Sequence, residues 1–159
     1  MTGLMKFVDI CVANEEDAAD VFGISAADSN IAQGSLNRQG YQEVAAKLLE
    51  KFSLKKVGIT LRESISASDN NWSGMLYDGK SFYFSANYPV HIVDRVGGGD
   101  SFTAGLIYAD LNGLSAQQGL DFAVAASCLK LSIEGDLNHM GIDEVKKLAQ
   151  GDASGRVQR

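Results

Sequence analysis

Gly97-Gly98-Gly99-Asp100 sets three residues without side chains directly before a carboxylate, at the head of a predicted helix from Ser101 to Leu111. Consecutive glycines let the main chain close tightly around a ligand, because no Cβ stands in the way. A helix that starts there points its unpaired N–H groups and the positive end of its dipole at the loop. Such a corner suits an anion, most often a phosphate. Asp100 is the discordant residue. A carboxylate in the first turn favours the helix, yet it repels a phosphate held beside it. A base that strips a proton from a hydroxyl attacking that phosphate would have to sit there all the same. The same pattern also fits a plain glycine turn in which Asp100 is only a first-turn helix acid.

Two competing motifs fail on spacing. A dinucleotide fingerprint G-x-G-x-x-G starting at Gly97 requires glycine where Phe102 stands. A P-loop ends in Gly-Lys-Ser/Thr, and no lysine occurs between Lys80 and Lys130.

The run Asp94-Arg95-Val96-Gly97-Gly98-Gly99-Asp100-Ser101-Phe102 resembles the D-T-x-G-A-G-D signature of the PfkB (ribokinase-like) sugar kinases. The resemblance extends to Asn14-Glu15-Glu16-Asp17, to Gly58-Ile59-Thr60-Leu61-Arg62-Glu63-Ser64, and to the tail from Gly151 to Arg159. Within that family, VDRVGGGDSF and GDASGRVQR are similar to the forms in 2-keto-3-deoxygluconate kinases. The resemblance implies an α/β class, with a ribokinase-like layered α/β/α domain and a mostly parallel sheet carrying an antiparallel meander. It implies transfer of a phosphoryl group from ATP, with Mg2+, to the 6-hydroxyl of the sugar acid 2-keto-3-deoxygluconate. Two alternatives stand beside it: a nucleotide-binding module without kinase activity, or a kinase for another sugar such as fructose.

The resemblance also assigns roles. Asp100 becomes the catalytic base, and Gly97, Gly98 and Gly99 the anion hole. Asn14 and Asp17 stand where such kinases carry Asn-x-x-Glu, linked to magnesium and phosphate placement; Asp17 is one methylene short, and Glu15 or Glu16 offers a substitute. A helix cap explains Asn14 and Asp17 equally well. Thr60, Leu61, Arg62, Glu63, Ser64 and Ile65 replace a nucleotide-contacting Thr-Leu-Gly run, with Arg62 in the place of glycine, either touching a phosphate or exposed on a loop. Val124, Ala125 and Cys128 fall where relatives shape the adenine slot, although core packing accounts for them too. Ser127 either reaches the base or bonds the carbonyl one turn back. Asp94 and Val96 occupy positions that in some relatives help to hold a monovalent cation. Val96 has no side-chain oxygen, so that ion is not expected.

Composition narrows the rest. At 159 residues the chain is one domain, 1–159, able to bury a core. A net charge of -6 gives no support for nucleic acid as a partner. No apolar run approaches the roughly 20 residues of a membrane span, and no secretory leader is visible, so a cytoplasmic location is expected. Cys11 and Cys128 read as reduced core thiols, and without CxxC or His-x-x-x-His no structural zinc is indicated. His91 and His139 are isolated and read as surface or capping residues, Trp72 as a packing residue or a lid aromatic, and Arg156 and Arg159 as a solvated or phosphate-facing tail. The resembled kinases are about twice as long. The chain is therefore expected to be their C-terminal half, carrying the nucleotide and base side. A sheet cut in that way exposes an edge, and a homo-oligomer is expected.

The elements that must position these residues follow from periodicity. Helix is predicted at Met1 to Lys6, a buried strand at Phe7 to Ala13, and a helix capped by Asn14 and closed by Gly23. Asp28 to Gly34 reads as a loop, Gln39 to Phe52 as an amphipathic helix and Lys56 to Leu61 as a strand. Strands are predicted at Ser64 to Ser68 and Ser73 to Tyr77, with Asp69-Asn70-Asn71 turning between them. Asp78-Gly79 signals a hairpin before Ser81 to Ala86, and Pro89 precedes a strand from Val90 to Val93. After the glycine corner, Asn112-Gly113 ends its helix, Ser115 and Gln118 form a capping box for a helix over 116–133, and Ile142 to Ala149 is the last.

Overall fold

The structure, a computed structural model, describes residues 1–25 and 38–151. The predicted loop at Asp28 to Gly34 and the tail arginines Arg156 and Arg159 lie outside the described residues. A 3-10 turn, Thr2–Phe7, leads into β1 (Ile10–Ala13), α1 (Glu15–Phe22), α2 (Arg38–Phe52), β2 (Lys56–Ser64) and β3 (Asp69–Tyr77). Then follow β4 (Phe82–Phe84), β5 (Tyr88–His91), α3 (Gly98–Leu111), α4 (Ala116–Leu131) and α5 (Ile142–Ala149). The predicted caps are present. Asn14 and Asp17 close a reciprocal box on α1, Gly23 ends it at φ 64°, and Ser115 with Gln118 caps α4.

The layered α/β organisation is the expected one, on a mixed sheet. β1 and β2 run parallel, with Ala13 opposite Ile59. β3 is antiparallel to β2 and carries both β4 and β5 on its far side, so the meander takes the larger share of the ladders. The turn before β3 lies at residues 65–68, not at Asp69-Asn70-Asn71, which belong to the strand. Ser66 explains the shift: its Oγ accepts from the N–H groups of Ser68 and Asp69 and donates to the Asp69 carboxylate at 2.7 Å. Pro89 sits inside β5 rather than before it, as an edge strand with no further ladder to feed allows.

Alternation along β2 sends Val57, Ile59 and Leu61 to one face, where they pack with Val44, Ala45 and Leu48 of α2. Gly58 looks the other way, and a Cβ there would lie 3.0 Å from Leu106. On that face α3 and α4 pack with Leu76, Phe102, Leu120 and Val124 at the centre. The two helices approach through small residues: a Cβ on Gly105 would lie 2.6 Å from the Ala123 Cα, and one on Gly119 2.9 Å from the Ala109 Cβ. α5 lies outside α4, burying Val145 against Phe122, Ala125 and Ala126.

Direction matters for the site. Lys56, at the start of β2, pairs with Asp110 near the end of α3, so α3 runs back along the sheet. Its N-terminus lies at the end where β1 and β2 finish, the usual ligand side of an open α/β sheet.

Candidate active site

The corner is built from three glycines with three different reasons. α3 begins at Gly98, three residues earlier than the sequence predicts, which puts Gly98, Gly99 and Asp100 in its first turn. Gly97 is the N-cap, at φ 81°, and a Cβ there would stand 2.2 Å from the Asp136 carbonyl oxygen. Only glycine fits. Gly98 is buried, and its Cβ would meet Leu131 at 2.9 Å. Gly99 is exposed, and a Cβ on it would meet nothing within 4 Å. Among the described residues no acceptor faces the N–H groups of Gly99 and Asp100. Those donors point outward from the positive end of a 14-residue helix. Asp100 is exposed as well, and among the described residues its carboxylate has no hydrogen-bond partner.

The corner is held from behind. Ser127 of α4, fully buried, donates to the Gly98 carbonyl at 2.8 Å and not to the carbonyl one turn back in its own helix, which corrects that reading of it. The chain before the corner hangs on α4 through Val93 and Asp94, whose N–H groups both reach the Leu131 carbonyl. Asp94 accepts from Val96 N–H and from Gly135 N–H, each at 3.0 Å. Those donors, Val96 first, then Gly135 and the field of Lys130, hold its carboxyl below the usual range. Arg95 donates to the Ala67 carbonyl at 2.7 Å, tying the corner to the turn after β2. Asp94 was legible only as a resemblance position, and nothing in the sequence pattern singles out Lys130.

The other predicted residues divide. Asn14 sits at the end of β1, its Oδ1 accepting from Asp17 N–H at 2.7 Å while an Asp17 carboxylate oxygen accepts from Asn14 N–H at 3.1 Å. Both side chains are thus used by the cap, with one Asp17 oxygen left over. Among the described residues no three His, Cys, Asp or Glu side chains gather as a metal site. Thr60, Arg62 and Ser64 share the sheet face that bears Gly58 and Gly74 and covers α3 and α4, and Arg62 and Ser64 are exposed. Glu63 accepts from Asn71 at 2.9 Å, and Ile65 is exposed on the turn. Leu61 points into the α2 core and is 2 % exposed. Only its backbone is available to a ligand. Val124 and Ala125 are fully enclosed, Val124 under the sheet and Ala125 under α5, so neither side chain presents a surface. Cys128 packs among Val90, Ile92 and Leu131, and burial pushes its thiol up to about 11. Packing accounts for the positions of these three side chains. Trp72 packs against Tyr88, and His91 pairs with Asp69 at 2.8 Å on the surface.

The model of the pfkB family of carbohydrate kinases matches residues 2–140. The chain belongs to that family. Among solved structures, 2-dehydro-3-deoxygluconokinase from Thermotoga maritima is 48% identical with a TM-score of 0.85, over 94% of this chain and 43% of that one. A PfkB family carbohydrate kinase from Listeria grayi is 32% identical with a TM-score of 0.76, over 92% of this chain and 42% of that one. The uncharacterized sugar kinase YeiI of Escherichia coli is 33% identical over 116 residues, 72% of this chain and 26% of its own. The pfkB chain described here thus spans less than half the length of these relatives. Among its described residues no helix is long and apolar enough to cross a membrane.

Proposed function

We propose that this chain is the nucleotide and catalytic-base half of an ATP-dependent sugar kinase acting on the 6-hydroxyl of 2-keto-3-deoxygluconate. One observation carries the reading. Gly99 stands in the first turn of a helix, where glycine costs about 0.5 kcal/mol against alanine, and among the described residues no neighbour requires it. Among the described residues the fold has no use for it; a ligand closing on the main chain does. Phosphoryl transfer asks a protein mainly for positioning and charge neutralisation. The Gly99 and Asp100 amides supply donors to the migrating phosphoryl, each of the kind whose removal typically costs on the order of 10²–10³ in rate. Asp100, exposed beside them, takes the proton of the incoming alcohol. Magnesium bound with the nucleotide would offset phosphate charge, held through water by the free carboxylate oxygen of Asp17. The identity to the Thermotoga enzyme supports the sugar acid as substrate over fructose.

A second reading is favoured by length. At 43% of that relative, the chain alone is a nucleotide-binding module that needs a complementary half to accept sugar. Calorimetry with ATP and with 2-keto-3-deoxygluconate separates the two. Phosphorylation by the isolated chain rules out the module. Joined to the missing half, Asp100→Asn should abolish turnover while nucleotide still binds. Full turnover in that variant ends the base assignment.

A further inference from the structure

Lys130 lies wholly inside the protein, where lysine is almost never found unless paired. Its ammonium donates to the Ile133 carbonyl at 3.3 Å, and its field reaches the Asp94 carboxylate. Its Cε is 3.2 Å from where a Cβ on Gly97 would stand, so the stem runs beneath the residue that caps α3. Lys130 stands in the last turn of α4, whose dipole favours a cation there, but it also lies beneath the N-terminus of α3, whose dipole repels one. Methionine or leucine would fill the space without the desolvation cost of a buried charge. Asp94, already answered by two N–H groups, does not by itself require it. An anion on the corner above would offset the repulsion from α3.

We propose that Lys130 is a positioning residue for that anion, joining the turns at Asp94–Gly97 and Ile133–Asp136 and adding positive potential beneath the Gly98 and Gly99 amides. The inference rests on the phosphate reading of the corner. It differs from the dipole of α3 in being carried by one removable side chain. Lys130→Met deletes charge and hydrogen bond and keeps the volume; Lys130→Gln deletes the charge and keeps a donor for Ile133.

The test titrates the full chain and both variants with tripolyphosphate and with ATP by calorimetry, with thermal melts to establish folding. Both variants should bind at least tenfold more weakly, a loss expected when one unit charge is removed from close beneath a polyanion. In Lys130→Ala, ethylammonium should restore binding, whereas tetramethylammonium at equal ionic strength, too bulky for the space, should not. Unchanged affinity in a folded Lys130→Gln overturns the electrostatic role, as does rescue by both salts alike. If the unsubstituted chain binds neither polyanion, the phosphate reading itself falls. The joining role is then decided by hydrogen exchange at the Val96 and Gly135 amides: faster exchange in Lys130→Met supports it, and unaltered exchange overturns it.

Discussion

Gly99→Ala should raise stability and lower affinity at once. The added Cβ meets nothing within 4 Å, and the position is helical. The substitution therefore restricts the unfolded chain without straining the folded one, a gain of about 0.5 kcal/mol at the first turn. For a chain of this size that raises Tm by about 1–2 °C. The same methyl group projects into the space before the Gly99 and Asp100 amides. A phosphoryl oxygen held there at ordinary hydrogen-bond length would be displaced by about an ångström, a misplacement worth about 100-fold in a positioned reaction. Binding, which feels only part of that, should weaken about tenfold or more. Differential scanning calorimetry and an ATP titration on one preparation provide both numbers. A raised Tm with unaltered ATP affinity would refute the corner as a phosphate cradle, because it would leave Gly99 with neither an internal nor an external reason.

Gly97→Ala should do the opposite, losing about 3 kcal/mol or more from positive φ and the Asp136 carbonyl, and lowering Tm by about 6–12 °C; a melt within 2 °C of the parent would contradict the close approach. Acid should loosen the corner. The Asp94 carboxyl is held below its unfolded value by N–H donors, so its contribution is complete above about pH 4 and is lost as pH falls through the lower folded value; a carboxyl resonance titrating at or above the free-aspartate value would refute this. Cys128, raised to about 11 by burial, and Cys11, raised chiefly by burial, should resist iodoacetamide at pH 8 until urea is added; labelling of the folded chain would show that the packing is looser than described. Among the described residues β1 has a partner only on its β2 side, and Leu4, Phe7, Ile107 and Leu111 are exposed; an unpaired edge near apolar surface should drive the isolated chain to a dimer or larger, and a monomer by light scattering at micromolar concentration would oppose it.

Local chemistry made most of the fold legible. The Asn14 and Ser115 caps, Gly23, the Asp78-Gly79 hairpin and α5 are written in short-range patterns, and they stand where the pattern puts them. The misread segment, residues 64–71, failed for a physical reason. Asp, Asn and Asn are turn formers by propensity, but a serine three residues upstream of Asp69 offers a better turn, and the ladder with β2 then draws Asp69-Asn70-Asn71 into the strand. The α3–α4 pair was legible as apolar helices but not as partners. Gly105, Ala109, Gly119 and Ala123 look like weak helix residues until two backbones are set against each other.

The candidate site was legible as a sequence of residue types and opaque as a division of labour. Three consecutive glycines read alike in one dimension. In space Gly97 serves a turn, Gly98 serves the packing of Leu131, and Gly99 meets nothing among the described residues. Ser127, which bonds the Gly98 carbonyl from 29 positions away, and Lys130, whose stem lies beneath Gly97, stand on a helix that reads as core. Val124, Ala125 and Cys128 of that helix read equally as an adenine slot or as core, and their side chains are buried in the packing. α3 and α4 pack antiparallel along their lengths, from Gly98 beside Leu131 through Gly105 beside Ala123 to Ala109 beside Gly119, so the open first turn of α3 lies beside the last turns of α4, which support it from behind. On the reading proposed above, the first turn of α3 would meet the ligand and α4 would act through it.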